Sequence, residues 1–108
     1  MFTNKPACTI WEKTVQNRNP VYIRHVMGPV YWEDTHGETA GSIAREPEGK
    51  ALCIIHAPLV TYLPGRDDRI LPGECADEQP PQNALTVTSV KDFRYGSAAV
   101  AHIEVTAK

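Results

Sequence analysis

The chain has 108 residues, a net charge of −2 and a hydrophobic content of 42%, which is enough for one domain with one core. These values exclude a wholly disordered chain, because disorder goes with low hydropathy and high net charge. They also argue against a nucleic-acid-binding surface, since the eleven Lys and Arg residues form no basic run.

Neither a membrane span nor a targeting segment is evident. The longest apolar runs are residues 52–55 and 98–101, far shorter than the roughly 20 residues that cross a bilayer. The first six residues lack the charged region, apolar region and cleavage site of a signal peptide. We therefore expect a cytosolic protein with no membrane partner.

In the N-terminal part, short runs of β-branched and aromatic residues lie between Pro and Gly, which is typical of strands. The first predicted strand covers residues 8–16 and ends at the turn cluster 17–20. The second covers residues 21–27, and the third covers residues 30–34 after a bend at Gly28-Pro29. No long apolar stripe has helical spacing, so we expect little helix.

The composition changes between residues 35 and 49, which are small, polar and rich in Gly and Glu. A loop of this length in a small domain is usually functional or disordered. We predict a binding surface here, with His36, Glu38 and Arg45 as contact residues.

The next part combines one apolar strand with two polar segments. Residues 50–57 are almost continuously apolar, which predicts a strand buried on both faces or one that closes a barrel. Residues 75–83 are acidic and contain Pro80-Pro81, so we expect a second exposed loop. Between them lies a predicted solvated turn whose charges neutralise one another and which supplies further candidate contact residues: Arg66, Asp67, Asp68 and Arg69.

The closing hairpin is the clearest unit. Residues 84–92 and 97–106 alternate between apolar and polar side chains, and the connection at residues 93–96 contains Gly96. Arg94 and Tyr95 in this connection complete the candidate contact residues. The whole pattern predicts a mainly β protein with one domain over residues 1–108. Its expected architecture is a small antiparallel barrel or sandwich of about six strands with long loops.

Three cysteines, Cys8, Cys53 and Cys75, are too few and too far apart to predict a disulfide framework. Cys8 and Cys53 lie in strand-like runs, where free thiols are usually buried. A cysteine-dependent enzyme with Cys53 or Cys75 as nucleophile is the third functional hypothesis. Apolar neighbours of Cys53 and acidic neighbours of Cys75 should raise the thiol pKa, which opposes this hypothesis.

No motif predicts a catalytic residue, a cofactor or a metal. The four histidines lack the spacing of zinc ligands, although folding could still gather Cys53, His56 and His102. A stacking platform for single-stranded nucleic acid on a small barrel is the second functional hypothesis. It would use the following aromatic residues, which lack interleaved basic residues and are better explained by packing: Trp11, Tyr22, Tyr31, Trp32 and Tyr62.

Four segments together resemble the head-closure or head–tail joining proteins of tailed bacteriophages and prophages. They are the early Trp in residues 9–11, a Gly-x-x-Trp-like segment at 28–34, a "GD-x-I-x-x-G"-like segment at 66–74, and the closing hairpin from 85–92 into 102–105. These segments cover about two-thirds of the chain. The chain departs from the pattern at Asp67, where Gly is common, and in the polar segment 35–49.

The resemblance implies a β-barrel adaptor without an active site, which joins a ring at the head–tail interface beneath the portal. Its expected partners are portal or adaptor proteins and tail proteins. Such adaptors are often monomers in isolation and form homo-oligomeric rings on assembly. The resemblance places the protein in the cytoplasm of a bacterial host and then in the virion. Loops 35–49 and 72–83 would be contact surfaces.

Overall fold

The computed structural model describes residues 2–34, 50–97 and 100–108, and these form one antiparallel sheet. Its seven strands run in the order β2-β1-β5-β6-β7-β4-β3, and the sheet is not closed. The mainly β prediction is confirmed, with seven strands instead of about six. The strands are β1 (Cys8–Gln16), β2 (Asn19–Met27), β3 (Tyr31–Asp34), β4 (Ala51–His56), β5 (Arg69–Pro72), β6 (Leu85–Phe93) and β7 (His102–Ala107).

A two-residue turn joins β1 to β2. Asn17 and Arg18 both have positive φ, at 53° and 67°, which is the geometry of the hairpin turns that match the right-handed twist of strands. Gln16 and Asn19 face each other on either side of the turn. This turn fixes the register of the whole hairpin, and with it the direction in which each backbone group of β2 points.

The sheet folds over at β6 so that its two halves share a core. A register shift between Val87 and Ser89 marks a bulge in β6, and a bulge increases local bend and twist. The N-terminal end of β6 pairs with β5 and the rest pairs with β7. The core cluster draws from both halves and contains Cys8, Ile10, Met27, Val30, Trp32, Ala51, Cys53, Ile55, Ile70, Val87, Ile103, Val105 and Ala107.

The strand β4 differs from its prediction. Its residues alternate between buried and half-buried, so only Ala51, Cys53 and Ile55 belong to the core. Leu52, Ile54 and His56 lie on the outer face. The apolar run therefore indicated a strand correctly, but the prediction that both faces are buried was wrong.

The segment before β1 meets the segment before β3 at one corner of the fold. Lys5 and Val30 form an isolated antiparallel bridge. Gly28 packs against the backbone of Pro6 and Ala7 so closely that a Cβ at this position would collide with it. A residue without a side chain is therefore required where the chain leaves β2.

Residues 73–79 lie against the outer face of the β1–β2 hairpin. The Thr9 hydroxyl donates to the Gly73 carbonyl at 2.8 Å and accepts from the Cys75 amide at 2.8 Å. The Trp11 indole donates to the Asp77 carbonyl at 2.9 Å, and Arg24 Nε donates to the Cys75 carbonyl at 2.6 Å. The predicted exposed loop is therefore anchored to the sheet through its backbone, although Ala76 to Gln79 remain exposed.

Candidate protein-binding site

The predicted contact residues that the structure describes lie in two separate parts of the fold. Arg94 and Tyr95 follow β6 at the end of the β6–β7 hairpin, and the turn of residues 66–69 leads into β5. The remaining candidates, His36, Glu38 and Arg45, lie outside the described residues.

At the end of β6, the Asp92 carboxylate fixes the position of Arg94. Asp92 Oδ1 accepts from the Arg94 amide at 3.0 Å and from its Nε at 2.9 Å, and Oδ2 accepts from Nη2 at 2.9 Å. The hydrogen bonds from Arg94 lower the pKa of Asp92, and those to Asp92 raise the pKa of Arg94. The guanidinium is therefore oriented before any partner arrives, which reduces the entropy lost on binding.

Aromatic rings adjoin this pair. The Phe93 ring lies 6.2 Å from the Tyr95 ring in an edge-to-face arrangement and 5.2 Å from the His102 ring. Tyr95 is nevertheless 68% exposed, and it lines a shallow cleft of about 400 Å³ with Asp92 and Arg94. We call Asp92, Phe93, Arg94, Tyr95 and His102 the hairpin end. It combines an exposed aromatic side chain with an oriented arginine.

The His102 ring is held by two acceptors. Its Nδ1 lies 2.7 Å from the Val100 carbonyl and its Nε2 lies 3.0 Å from Glu104 Oε2. Both acceptors favour the protonated imidazolium form of the ring, in which each ring nitrogen carries an N–H group. The Val100 carbonyl has the largest effect, and Glu104 adds to it, so the pKa of His102 is raised above 6.5 although partial burial opposes the rise.

We expect a small pH dependence from His102. Because its folded-state pKa is raised, its contribution to stability is complete below about pH 6.5 and is lost as the pH rises through the folded-state pKa. An NMR titration of the ring should give a pKa above 6.5. Glu104→Gln should lower that pKa part of the way, since the Val100 carbonyl remains. A wild-type pKa at or below 6.5 would contradict this assignment.

The prediction of a solvated turn was wrong for Asp68. Its side chain is buried, with only 3% of the residue exposed. Oδ1 accepts from the Lys13 amide at 3.0 Å, and Oδ2 accepts from the Tyr62 hydroxyl at 2.6 Å and from the Gly65 amide at 2.8 Å. The carboxylate binds a β1 amide just beyond the last pair that β5 makes with β1. Asp68 therefore holds the turn together, and it is not available for contact with a partner.

The other three turn residues also differ in their surroundings. Arg69 begins β5 and its Nη2 donates to the Ala84 carbonyl at 2.7 Å, while its buried Nε has no partner among the described residues. Arg66 and Asp67 are exposed. Asp67 has a φ of 77°, a conformation that favours Gly.

Sequence reasoning missed a cluster built from β1, β2 and the segment after β4. The His25 ring stacks on the Tyr62 ring at 4.2 Å with 4° between the planes, and His25 Nε2 lies 2.9 Å from Glu12 Oε1. Burial, followed by the hydrogen bond to Asp68, raises the pKa of Tyr62 far above its usual value. Each side chain of this cluster has a partner within the chain, which indicates a structural role.

The predicted burial of Cys8 and Cys53 is confirmed. Cys8 and Cys53 are buried free thiols, and Cys75 is a half-buried free thiol. The pKa of the Cys53 thiol is raised well above its usual value, first by the contact of Cys53 with Cys8 and then by burial. A thiolate at Cys53 is therefore disfavoured, which opposes its use as a nucleophile.

The possible cluster of Cys53, His56 and His102 does not form. Cys53 lies in the core, whereas His56 and His102 face each other on the outer side of the sheet. Within residues 2–34, 50–97 and 100–108, no group of three His, Cys, Asp or Glu side chains could hold a metal ion.

A basic cleft of about 510 Å³ lies beside the bulge in β6. Its cations are Arg66, Lys91 and Lys108, none of which makes an ion pair with a described residue. It is also lined by Asp67, Thr86, Val87, Thr88 and Ser89. Cations and hydroxyl groups together can bind an anion, and this cleft was not predicted because its cations come from three separate parts of the chain.

The fold and its surfaces define a small, mainly β protein with an exposed, pre-oriented hairpin end. The chain belongs to DUF6751, a family of unknown function, whose profile matches residues 2–108. Comparisons with curated proteins and with solved structures gave no match. Among the described residues, no helix is long and apolar enough to cross a membrane.

Proposed function

We propose that this protein is a non-catalytic structural adaptor that binds other proteins, at the head–tail interface of a tailed phage or prophage. The observation that carries the proposal is the hairpin end, where Asp92 orients Arg94 beside the exposed Tyr95. The phage context comes from the sequence resemblance. The proposed partners are portal or adaptor proteins and tail proteins.

The chemistry of the hairpin end favours protein over small-molecule binding. Tyr and Arg are enriched among the residues that contribute most to protein interfaces. The cleft beside Tyr95 is shallow, whereas small-molecule sites are deeply concave. Because Arg94 is already held by two carboxylate oxygens, little side-chain freedom remains to be lost when a partner binds.

The proposal includes assembly and location. The protein would be made in the cytoplasm of a bacterial host and would enter the virion as part of a homo-oligomeric ring. Both rest on the sequence resemblance. A ring requires head-to-tail contacts between neighbouring copies, and the hairpin end could supply one side of such a contact or meet the portal and tail proteins.

The test begins with the genomic DNA on either side of the gene. We expect neighbours that encode portal, capsid and tail proteins, and these products can be purified and tested for binding. The double variant Arg94→Ala, Tyr95→Ala should weaken binding to the partner protein at least about tenfold, since truncation of a Tyr or Arg at the energetic centre of an interface costs about 2 kcal/mol or more. Its thermal unfolding should stay close to that of the wild type.

The matched control is Val15→Ala, because Val15 is similarly exposed, at 66%, but lies on β1. It should bind like the wild type. Genomic neighbours from metabolism or nucleic-acid repair would contradict the phage assignment, and unchanged binding by the double variant would contradict the role of the hairpin end.

The basic cleft supports a second candidate, a nucleic-acid-binding protein. Arg66, Lys91 and Lys108 lie around one cleft with Thr and Ser hydroxyls, and phosphate groups are bound by such side chains. The carboxylate of Asp67 lies in the same cleft and opposes an anion there. If the purified protein binds single-stranded oligonucleotides tightly and with strong salt dependence, the second candidate replaces the first.

A further inference from the structure

We propose that two copies of this chain pair through the outer edges of their β2 strands, so that the two sheets form one continuous sheet. The inference rests on the backbone of β2 and is independent of the proposed function. Within the described part of the chain, β2 pairs with β1 only. No described residue pairs with its other edge, and the N–H and C=O groups along such an edge are what recruits another strand.

The hairpin turn determines which residues present those groups. Gln16 and Asn19 are paired across the turn, and in such a turn the carbonyl of the first residue accepts a hydrogen bond from the amide of the fourth. Hydrogen-bonded and non-hydrogen-bonded residue pairs then alternate along the two antiparallel strands. The groups of Val21, Ile23 and His25 point toward β1, and the Thr14 hydroxyl accordingly reaches the Val21 carbonyl at 2.9 Å.

The outward-pointing positions of β2 are Pro20, Tyr22, Arg24 and Val26. Pro20 has no N–H, and at an outward position this leaves the ladder with β1 intact. Tyr22, Arg24 and Val26 keep both a donor and an acceptor. The outer edge can therefore accept a partner strand along most of its nine residues.

The opposite edge of the sheet is protected. The strand β3 has only four residues and ends in the exposed acidic pair Glu33 and Asp34. The Asn4 side chain also occupies its edge, because Asn4 Nδ2 donates to the Trp32 carbonyl at 2.9 Å and Asn4 Oδ1 accepts from the Trp32 amide at 2.7 Å. Short strands, charges, Pro and covered edges are the usual protections. The strand β3 is short, charged and covered, whereas the nine-residue β2 carries only Pro20 and Arg24.

In one antiparallel register, the side chains of β2 make favourable contacts with those of β2 in the other copy. With Ile23 opposite Ile23 of the other copy, all nine residues overlap and the outward-pointing Tyr22 and Arg24 face each other. Arg24 then meets an aromatic ring, a favourable contact. Ile23, which is 47% exposed although it is apolar, is covered by its counterpart. A shift by two residues toward the C-terminus would place Arg24 opposite Arg24, which is unfavourable.

Pairing through the β2 edge is limited to two copies and leaves the hairpin end free for other contacts. The same strand is used by both copies around a two-fold axis, so the contact closes on itself. The remaining edges are the two β3 strands that Asn4 covers. We therefore expect a dimer in solution and no growth into fibres.

The first test is sedimentation of the purified chain over a wide range of protein concentration. We expect a monomer–dimer equilibrium. Ile23→Lys places two like charges opposite each other and should raise the dimer dissociation constant at least about tenfold. Val15→Lys, at a similarly exposed position on β1, is the matched control and should leave it unchanged. A chain that remains monomeric at every concentration, or a dimer that Ile23→Lys does not weaken, would overturn the proposal.

The second test reads the register directly. Residues opposite each other at a non-hydrogen-bonded antiparallel position have Cα atoms about 4.5 Å apart, within the range that a disulfide bridges. In a Cys75→Ser background, which removes the half-buried thiol, Ile23→Cys should cross-link two chains under mild oxidation much faster than Val15→Cys. Equal rates for the two variants would overturn the pairing even if a dimer forms.

Discussion

Replacement of Asp68 by Asn should lower the free energy of unfolding by about 3 kcal/mol, because a carboxylate shared by three donors would become an amide with one acceptor oxygen. The Lys13 amide, the Tyr62 hydroxyl and the Gly65 amide all bind this carboxylate. An amide of the same shape can keep one acceptor oxygen but presents N–H groups to the remaining donors. Chemical denaturation, followed by tryptophan fluorescence, measures the difference.

Two variants separate this effect from a general effect of charge. Asp67→Asn removes the same charge one position away, at an exposed site whose positive φ Asn also tolerates, and should change stability by no more than about 0.5 kcal/mol. Tyr62→Phe removes one of the three donors and should cost about 1 kcal/mol. If Asp68→Asn and Asp67→Asn are equally stable, the carboxylate does not hold the turn.

Much of the fold could be predicted from sequence because strand periodicity and turn residues are local signals. The first strand was predicted at residues 8–16 and β1 has these bounds. The last strand was predicted from residue 97, but β7 begins at His102. The amides of Val100 and Ala101 both donate to the Ser97 carbonyl, so these two apolar residues, which fit an alternating strand in sequence, lie outside β7.

The candidate sites were harder to predict because they depend on contacts between distant parts of the chain. Asp67 and Asp68 are adjacent and chemically identical, yet one is exposed and the other is buried. The Lys13 amide and the Tyr62 hydroxyl reach Asp68 only after folding, and the nearby Gly65 amide binds it as well. Arg94 and Tyr95 were chosen as contact candidates because a hairpin connection is usually exposed, and their role stays a prediction. The orientation of Arg94 by Asp92 required the structure.

The two proposed surfaces lie on different strands and make different demands on a partner. The hairpin end offers side chains, so its specificity would come from the shape and charge of the partner. The edge of β2 offers mainly backbone groups, whose spacing any extended strand can match. Self-pairing therefore depends on the side chains of β2 to select register. A chain in which Ile23→Lys abolishes the dimer should still bind through the hairpin end.

Replacement of Trp11 by Ala should lower the free energy of unfolding by about 4 kcal/mol, since large-to-small changes of a buried aromatic commonly cost 3–5 kcal/mol. Trp11 is fully buried and its indole N–H donates to the Asp77 carbonyl. The ring thus supports both the sheet and the segment of residues 73–79. Denaturation measures the loss, and hydrogen exchange should show faster exchange at the Cys75 amide, which Thr9 otherwise protects.

Trp11→Phe separates the two roles of this side chain. It keeps most of the buried ring but cannot reach the Asp77 carbonyl, so it should cost about 1–2 kcal/mol, the sum of one hydrogen bond and a smaller buried surface. Exchange at the Cys75 amide should stay close to wild type, because Thr9 and Arg24 still bind the segment. If Trp11→Phe destabilises as much as Trp11→Ala, the hydrogen bond to Asp77 is the main anchor. If both changes cost less than about 1 kcal/mol, Trp11 is not packed as described.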